Sequence, residues 1–133
     1  MTMAAGFSVV NVLNGWLDAL RAATTFTKPA ANYVQLHTGD PGASGTSNVS
    51  AGSTDRAALS QSAASSGAIA ITGTNPSWTN GGTSETITHI SVWSASTSGT
   101  FLYSIQLGSS KTWADGDTLT LTSCSVSLSP AAA

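Results

Sequence analysis

The side chains with chemistry to offer are few. The chain has two imidazoles, His37 and His89, one thiol, Cys124, and six carboxylates, among them Asp40, Glu85, Asp115 and Asp117. A serine nucleophile needs a base within hydrogen-bond reach and an orienting group behind that base. Serine is abundant, but neither G-x-S-x-G nor S-x-x-K occurs, and neither histidine stands in a recognisable nucleophile context. Metal ligation is equally thin. His37 with Asp40, or His89 with Glu85, supplies two ligands where a structural zinc site takes four, and Cys124 has no partner cysteine. Asp115 and Asp117 open like a calcium loop, yet Leu119 and Leu121 stand where later oxygen ligands belong, so a tight turn is the better reading. The expectation is a protein with no catalytic residues, no metal and no cofactor.

Aromatic residues offer a second kind of site. Trp78, Trp93, Trp113 and Tyr103 are rigid and amphipathic enough to form a sugar-binding surface, although tryptophan more often packs into a core. Trp78 stands apart, because Asn75-Pro76-Ser77 precedes it and Thr79-Asn80-Gly81-Gly82 follows. Those turn formers place it in a loop, where an exposed indole would touch a partner such as a host glycan. Asp40, directly before Pro41, is expected to shape its own turn, and His37 to be a hydrogen-bonded residue at a strand end.

The elements that must position these residues follow from periodicity. Val9, Val12, Leu13, Trp16, Leu17 and Leu20 recur at intervals of three and four, with Asn11, Asn14, Asp18 and Arg21 opposite. This predicts an N-terminal amphipathic α-helix over 8–23, capped by Ser8. Beyond it the pattern changes to period two. Tyr33–His37, Ala68–Thr72, Glu85–Ser94 and Thr100–Leu107 read as strands, with a weak one around Arg56–Leu59. Ala95–Gly99 has hairpin length, which makes the strands on either side antiparallel neighbours. In Thr118–Leu128, Leu119 and Leu121 share one parity while Cys124, Val126 and Leu128 share the other, so a bulge or bend near Thr122 and Ser123 is expected. The fold class is mainly β: an antiparallel β-sandwich or barrel over 33–128 with one N-terminal helix, in a single domain spanning 1–133.

Composition removes several functions. Ten of 133 residues are charged, 8% of the chain, against roughly 25% in an average soluble domain. Ser and Thr together number 41, so hydroxyls and backbone must supply most of the polar surface. Four scattered basic residues and a net charge of −2 cannot neutralise a phosphate backbone, which excludes nucleic acid as a partner. A hydrophobic fraction of 41% and four tryptophans argue against a disordered chain. No apolar run approaches the ~18 residues of a membrane span, and the N-terminus has no secretory pattern, so folding in the cytoplasm of a host is expected.

The order of motifs carries a resemblance. The helix is followed by Y-V-Q-L-H-T-G-D-P-G (Tyr33–Gly42), I-T-H-I-S-V-W-S-A (Ile87–Ala95), F-L-Y-S-I-Q-L (Phe101–Leu107) and K-T-W-A-D-G-D-T-L-T-L (Lys111–Leu121). Over about Val9–Leu128 this resembles a family of small bacteriophage virion proteins, labelled tail fibre-like, minor tail or capsid decoration proteins. The resemblance implies a structural role in the particle and no catalysis. A chain of 133 residues without a repeat cannot build a long stalk. A decoration protein on the outer face of the head is therefore the leading expectation, as a homo-oligomer, for instance a trimer on a symmetry axis, against the major capsid protein. A small subunit of the tail or tail fibre is the alternative, and a host-glycan module, resting on Trp78, a further one. The expected assembly contacts are Trp16, Leu17 and Leu20 on the helix, whose competing use is to close the domain's own core.

Overall fold

The computed structural model describes residues 5–128. Eight strands follow the helix: β1 (Tyr33–His37), β2 (Ala57–Ala58), β3 (Ala68–Ile69), β4 (Ser77–Thr79), β5 (Glu85–Trp93), β6 (Phe101–Trp113), β7 (Thr118–Thr120) and β8 (Val126–Ser127). The principal sheet is antiparallel in the order β2-β1-β5-β6, and the small sheets β3-β8 and β4-β7 face it. β5 and β6 are the adjacent antiparallel pair that the Ala95–Gly99 segment predicts, with Ser98 and Gly99 at positive φ in the turn.

Register explains what each face does. Val34 lies opposite Val92, Leu36 opposite Ile90, and Val92 opposite Tyr103, so these side chains share the core face. Trp78, Leu121 and Cys124 meet them from the second layer, and Trp113, at the end of β6, packs into the same core. On the other face Gln35, Ser91 and Ser104 line up across the three long strands. This face is also covered, because residues 38–56 fold back over it: Gln35, His37 and Ser91 are all buried. The Thr38–Gly45 loop makes a close approach possible at Gly45, whose φ of 75° and contact with the Phe101 ring exclude any Cβ.

The helical segment starts where expected and ends early. The Ser8 hydroxyl accepts the Asn11 N–H, and Val9–Leu13 forms a wide π turn in which the Asn14 N–H reaches the Val9 carbonyl. The chain then tightens into α1 (Asn14–Leu20). It stops at Leu20, three residues short of the predicted 23, because Ala22 takes φ 60° and the Ala23 N–H closes onto the Asp18 carbonyl. Two backbone bonds, Ser8 N to Leu102 O at 2.8 Å and Ser104 N to Gly6 O at 2.9 Å, fix the entry to the helix along the edge of β6.

Three expectations change in detail. Thr118–Leu128 is not one bent strand: the parity conflict is resolved by a full change of sheet, with β7 pairing β4 and β8 pairing β3. Ala68–Thr72 contributes only two ladder residues, and Ile71 makes an isolated bridge to Gln61. The layers do not close into a barrel. Between β6 and β7 they leave a groove of about 590 Å³, with Leu36 and Ile90 at its floor and Leu107, Leu119 and Leu121 along its walls.

Candidate assembly surface

The helix divides its apolar residues between two environments. Val12 is buried in the core, and Trp16 is half-buried between Phe7 and Phe26, with ring centroids 5.1 and 5.9 Å away. Asn11 anchors the same side by donating from Nδ2 to the Phe101 carbonyl at 2.9 Å. Leu17 and Leu20, by contrast, are 61% and 84% exposed, and Val9 and Val10 are 58% and 79% exposed. Val9, Leu13, Leu17 and Leu20 follow intervals of four, four and three, the spacing of one helix face. An apolar stripe therefore runs along the outside of a helix whose other side already closes the domain. Of the three helix residues expected to make assembly contacts, Trp16 is spent largely on internal packing, whereas Leu17 and Leu20 remain available.

Trp78 does not form an exposed site. It sits in β4 opposite Leu119, is 4% exposed, and donates from its indole to the Asp55 carbonyl at 3.0 Å. The turn formers around it are real, but they bracket a three-residue strand rather than a loop. Asn80 holds the turn that follows: its Oδ1 accepts from Gly82 and Thr83, and its Nδ2 donates to the carbonyls of Thr83 and Trp113. The glycan reading loses the residue that carried it.

The groups weighed for chemistry are built into the scaffold. His37 is wholly buried; Nδ1 lies 2.8 Å from the Ser47 carbonyl and must carry the proton, so Nε2 accepts from the Ser91 hydroxyl at 2.6 Å. Ser91 in turn accepts from the Trp93 indole at 2.8 Å. This Ser–His hydrogen bond has no room for a substrate, since both residues are 0% exposed. Burial lowers the His37 pKa, as the neutral ring is the form this site holds. Glu85 accepts from Ser50, from the N–H groups of Ala51 and Gly52, and from the Trp113 indole. Burial pushes its pKa up, and these hydrogen bonds outweigh that effect and leave it below the usual carboxylate range. Asp40 Oδ1 accepts the Gly42 N–H, the turn-shaping use expected of an Asp before Pro. Among the described residues no three His, Cys, Asp or Glu side chains gather into a metal-sized cluster. Arg56, one of four basic residues, lies 3.7 Å over the Trp93 ring and donates to the Ala95 and Ser98 carbonyls, so it is spent on the hairpin between β5 and β6.

A family model described as "Podophage GP4 fiber I protein gp80" matches residues 9–129, nearly the whole chain. The chain belongs to this family. The podophage fibre protein family is a family of virion components, and with this membership the chain is a phage structural protein. The match begins at Val9, so it includes the helical stripe together with the strands. No curated protein matches the chain.

Proposed function

We propose that this chain is a non-enzymatic subunit of a podophage fibre, held in the particle by the outward apolar face of its helix. The carrying observation is that face: Val9, Val10, Leu17 and Leu20 lie in solvent on a domain whose core is complete without them. Fully burying one such side chain is worth roughly 1.5–3 kcal/mol, whereas association costs on the order of 4–15 kcal/mol. One contact of this size is weak, and an assembly that repeats it in many copies is strong. The family's fibre label favours a place in or at the base of a fibre over the outer shell. With no internal repeat, the domain suits an end or joint of such a fibre rather than its shaft.

The burial of Ser91 and His37 supports the non-enzymatic reading, because the one Ser–His hydrogen bond described above cannot meet a substrate. Quantitative mass spectrometry of purified particles tests the location. Copy numbers matching the fibres support the proposal, and copy numbers matching the capsid lattice would instead identify a head decoration protein. Leu20→Asp tests the surface: the variant is expected to fold with wild-type circular dichroism and to be missing from particles. Normal incorporation of that variant would remove the helix face from the account.

A further inference from the structure

Residues 39–47 cross the sheet face that carries Gln35, Ser91 and Ser104, and they are held to it at few points. The base of this flap is shut by the Thr38 N–H, which donates to the Asn48 carbonyl at 2.9 Å, and Glu85 clamps the chain beyond it at Ala51 and Gly52. Inside the flap the hydrogen bonds are local: Gly42 N–H to Asp40, Gly45 N–H to Gly42, Ser47 N–H to Pro41, and the Asn48 amide to the Asp40 carbonyl. Among the described residues a single hydrogen bond ties 39–47 to the sheet, from His37 Nδ1 to the Ser47 carbonyl at 2.8 Å. The rest of the hold is packing, by buried Pro41 and by Gly45 against the Phe101 ring.

The closed flap suits only a neutral His37. Nε2 accepts the Ser91 hydroxyl proton, and Ser91 already accepts from the Trp93 indole. A proton on Nε2 turns that acceptor into a donor and strands the Ser91 hydroxyl hydrogen in a site closed to water. Three charged or titratable groups face the ring: His89, its register partner on β5; Arg56, just before β2; and Asp40, on the flap itself. Burial is the largest influence and opposes the cation, the Ser47 carbonyl favours it, His89 and Arg56 oppose it, and Asp40 favours it; the balance lies with the neutral ring. Lifting the flap returns the ring to water and leaves the ladder beneath intact. It also uncovers apolar surface, because Phe101 is 5% exposed under Gly45, and Gly42 and Ala43 share a cleft with Val9, Val10 and Phe101.

We propose that residues 39–47 are an acid-released flap, which lifts about its Thr38–Asn48 base when His37 is protonated and exposes Phe101 beside Val9 and Val10. The flap and its latch are independent of how the helix face is used; that the uncovered ring enlarges an assembly face rests on the structural-subunit reading above. The open form binds the proton more readily than the closed one. Below pH 6.5 each unit of acidification therefore raises the open population by up to about tenfold, until the closed form also titrates.

Hydroxyl-radical footprinting of the purified full chain at pH 7 and pH 5, read by mass spectrometry, tests this. Oxidation of Phe101 is expected to rise at pH 5 while Trp78 and Trp113, both in the core, keep their pH 7 protection. Equal protection of Phe101 at both pH values overturns the flap, and so does a rise that the two tryptophans share, which is unfolding. His37→Gln keeps an amide donor for Ser47 and takes no proton, so Phe101 should stay protected at pH 5; a rise there overturns His37 as the latch. Ser91→Ala supplies a second route that leaves the imidazole in place. Its closed form loses the preference for the neutral ring, so the difference between pH 7 and pH 5 should shrink, and an undiminished difference overturns the Ser91 pairing as its cause. Acid opening in a chain that is absent from particles keeps the flap and removes the structural role, so the two readings fail separately.

Discussion

His37 shows how a residue that looks reactive becomes structural. Its ring is hydrogen-bonded at both nitrogens, to Ser47 and Ser91, and it pins the residue 38–56 covering to the sheet. Because burial lowers its pKa from 6.5, the unfolded chain binds a proton more readily than the folded one. Its stabilising contribution is therefore complete above pH 6.5 and lost as pH falls toward the folded value. Thermal unfolding followed from pH 7 to 5 should show a falling Tm, and His37→Gln should flatten the slope in that window; an unchanged slope would assign the loss to other groups. Glu85 acts lower on the scale. Its depressed pKa makes its contribution present above pH 4.5 and lost as pH falls through the folded value. Trp78→Ala should cost ~3–5 kcal/mol in denaturant unfolding, the range for truncating a buried aromatic. A cost below 1 kcal/mol would contradict its place in the core. Tyr103, whose hydroxyl accepts from Gln61, has its pKa pushed up to about 12, with burial the main cause, then the neighbouring Cys124, and the Gln61 hydrogen bond opposing both. Phenolate absorbance in an alkaline titration of the folded protein should accordingly show this group titrating after an exposed tyrosine.

Among the elements, the helix and the long strands were legible because each carries its own period. Intervals of three and four located the helix, and alternation in Glu85–Trp93 and Phe101–Leu107 located the central hairpin. What periodicity could not assign was the direction each helix side faces. Trp16 turns inward only because Phe7 and Phe26 come to meet it, and both lie outside the helix. Val10 stands three and seven residues before Leu13 and Leu17 and shares their face, a spacing that the second valine beside it, Val9, masked. Trp78 was misread for a related reason. Its strand is three residues long, too short for alternation to show, and the partners that bury it, Leu119 and the Asp55 carbonyl, are distant in sequence. The split of Thr118–Leu128 was half visible: the parity conflict marked the break, but pairing with β3 and β4 is a tertiary fact. At this scale Leu17→Ala and Leu20→Ala should leave the unfolding midpoint nearly unchanged, as exposed positions do, while Val12→Ala should lower stability by roughly 0.5–2 kcal/mol, a small buried truncation. Equal losses at all three would mean the outer face is also packed within the domain.

Across the whole molecule, low charge and an uncovered apolar stripe belong to one design. Ten charges in 133 residues leave a surface of hydroxyls and backbone. Such a surface packs against neighbours without the desolvation cost of burying ions. The fold closes its own core and still offers Leu17 and Leu20 outward, and that combination is what a subunit of a larger particle requires. Cryo-electron microscopy of the intact virion tests this directly. The account predicts density for residues 5–128 in the fibre, with Leu17 and Leu20 covered by a neighbouring subunit. Density in which that helix face points into solvent would contradict it, as would a particle without this chain.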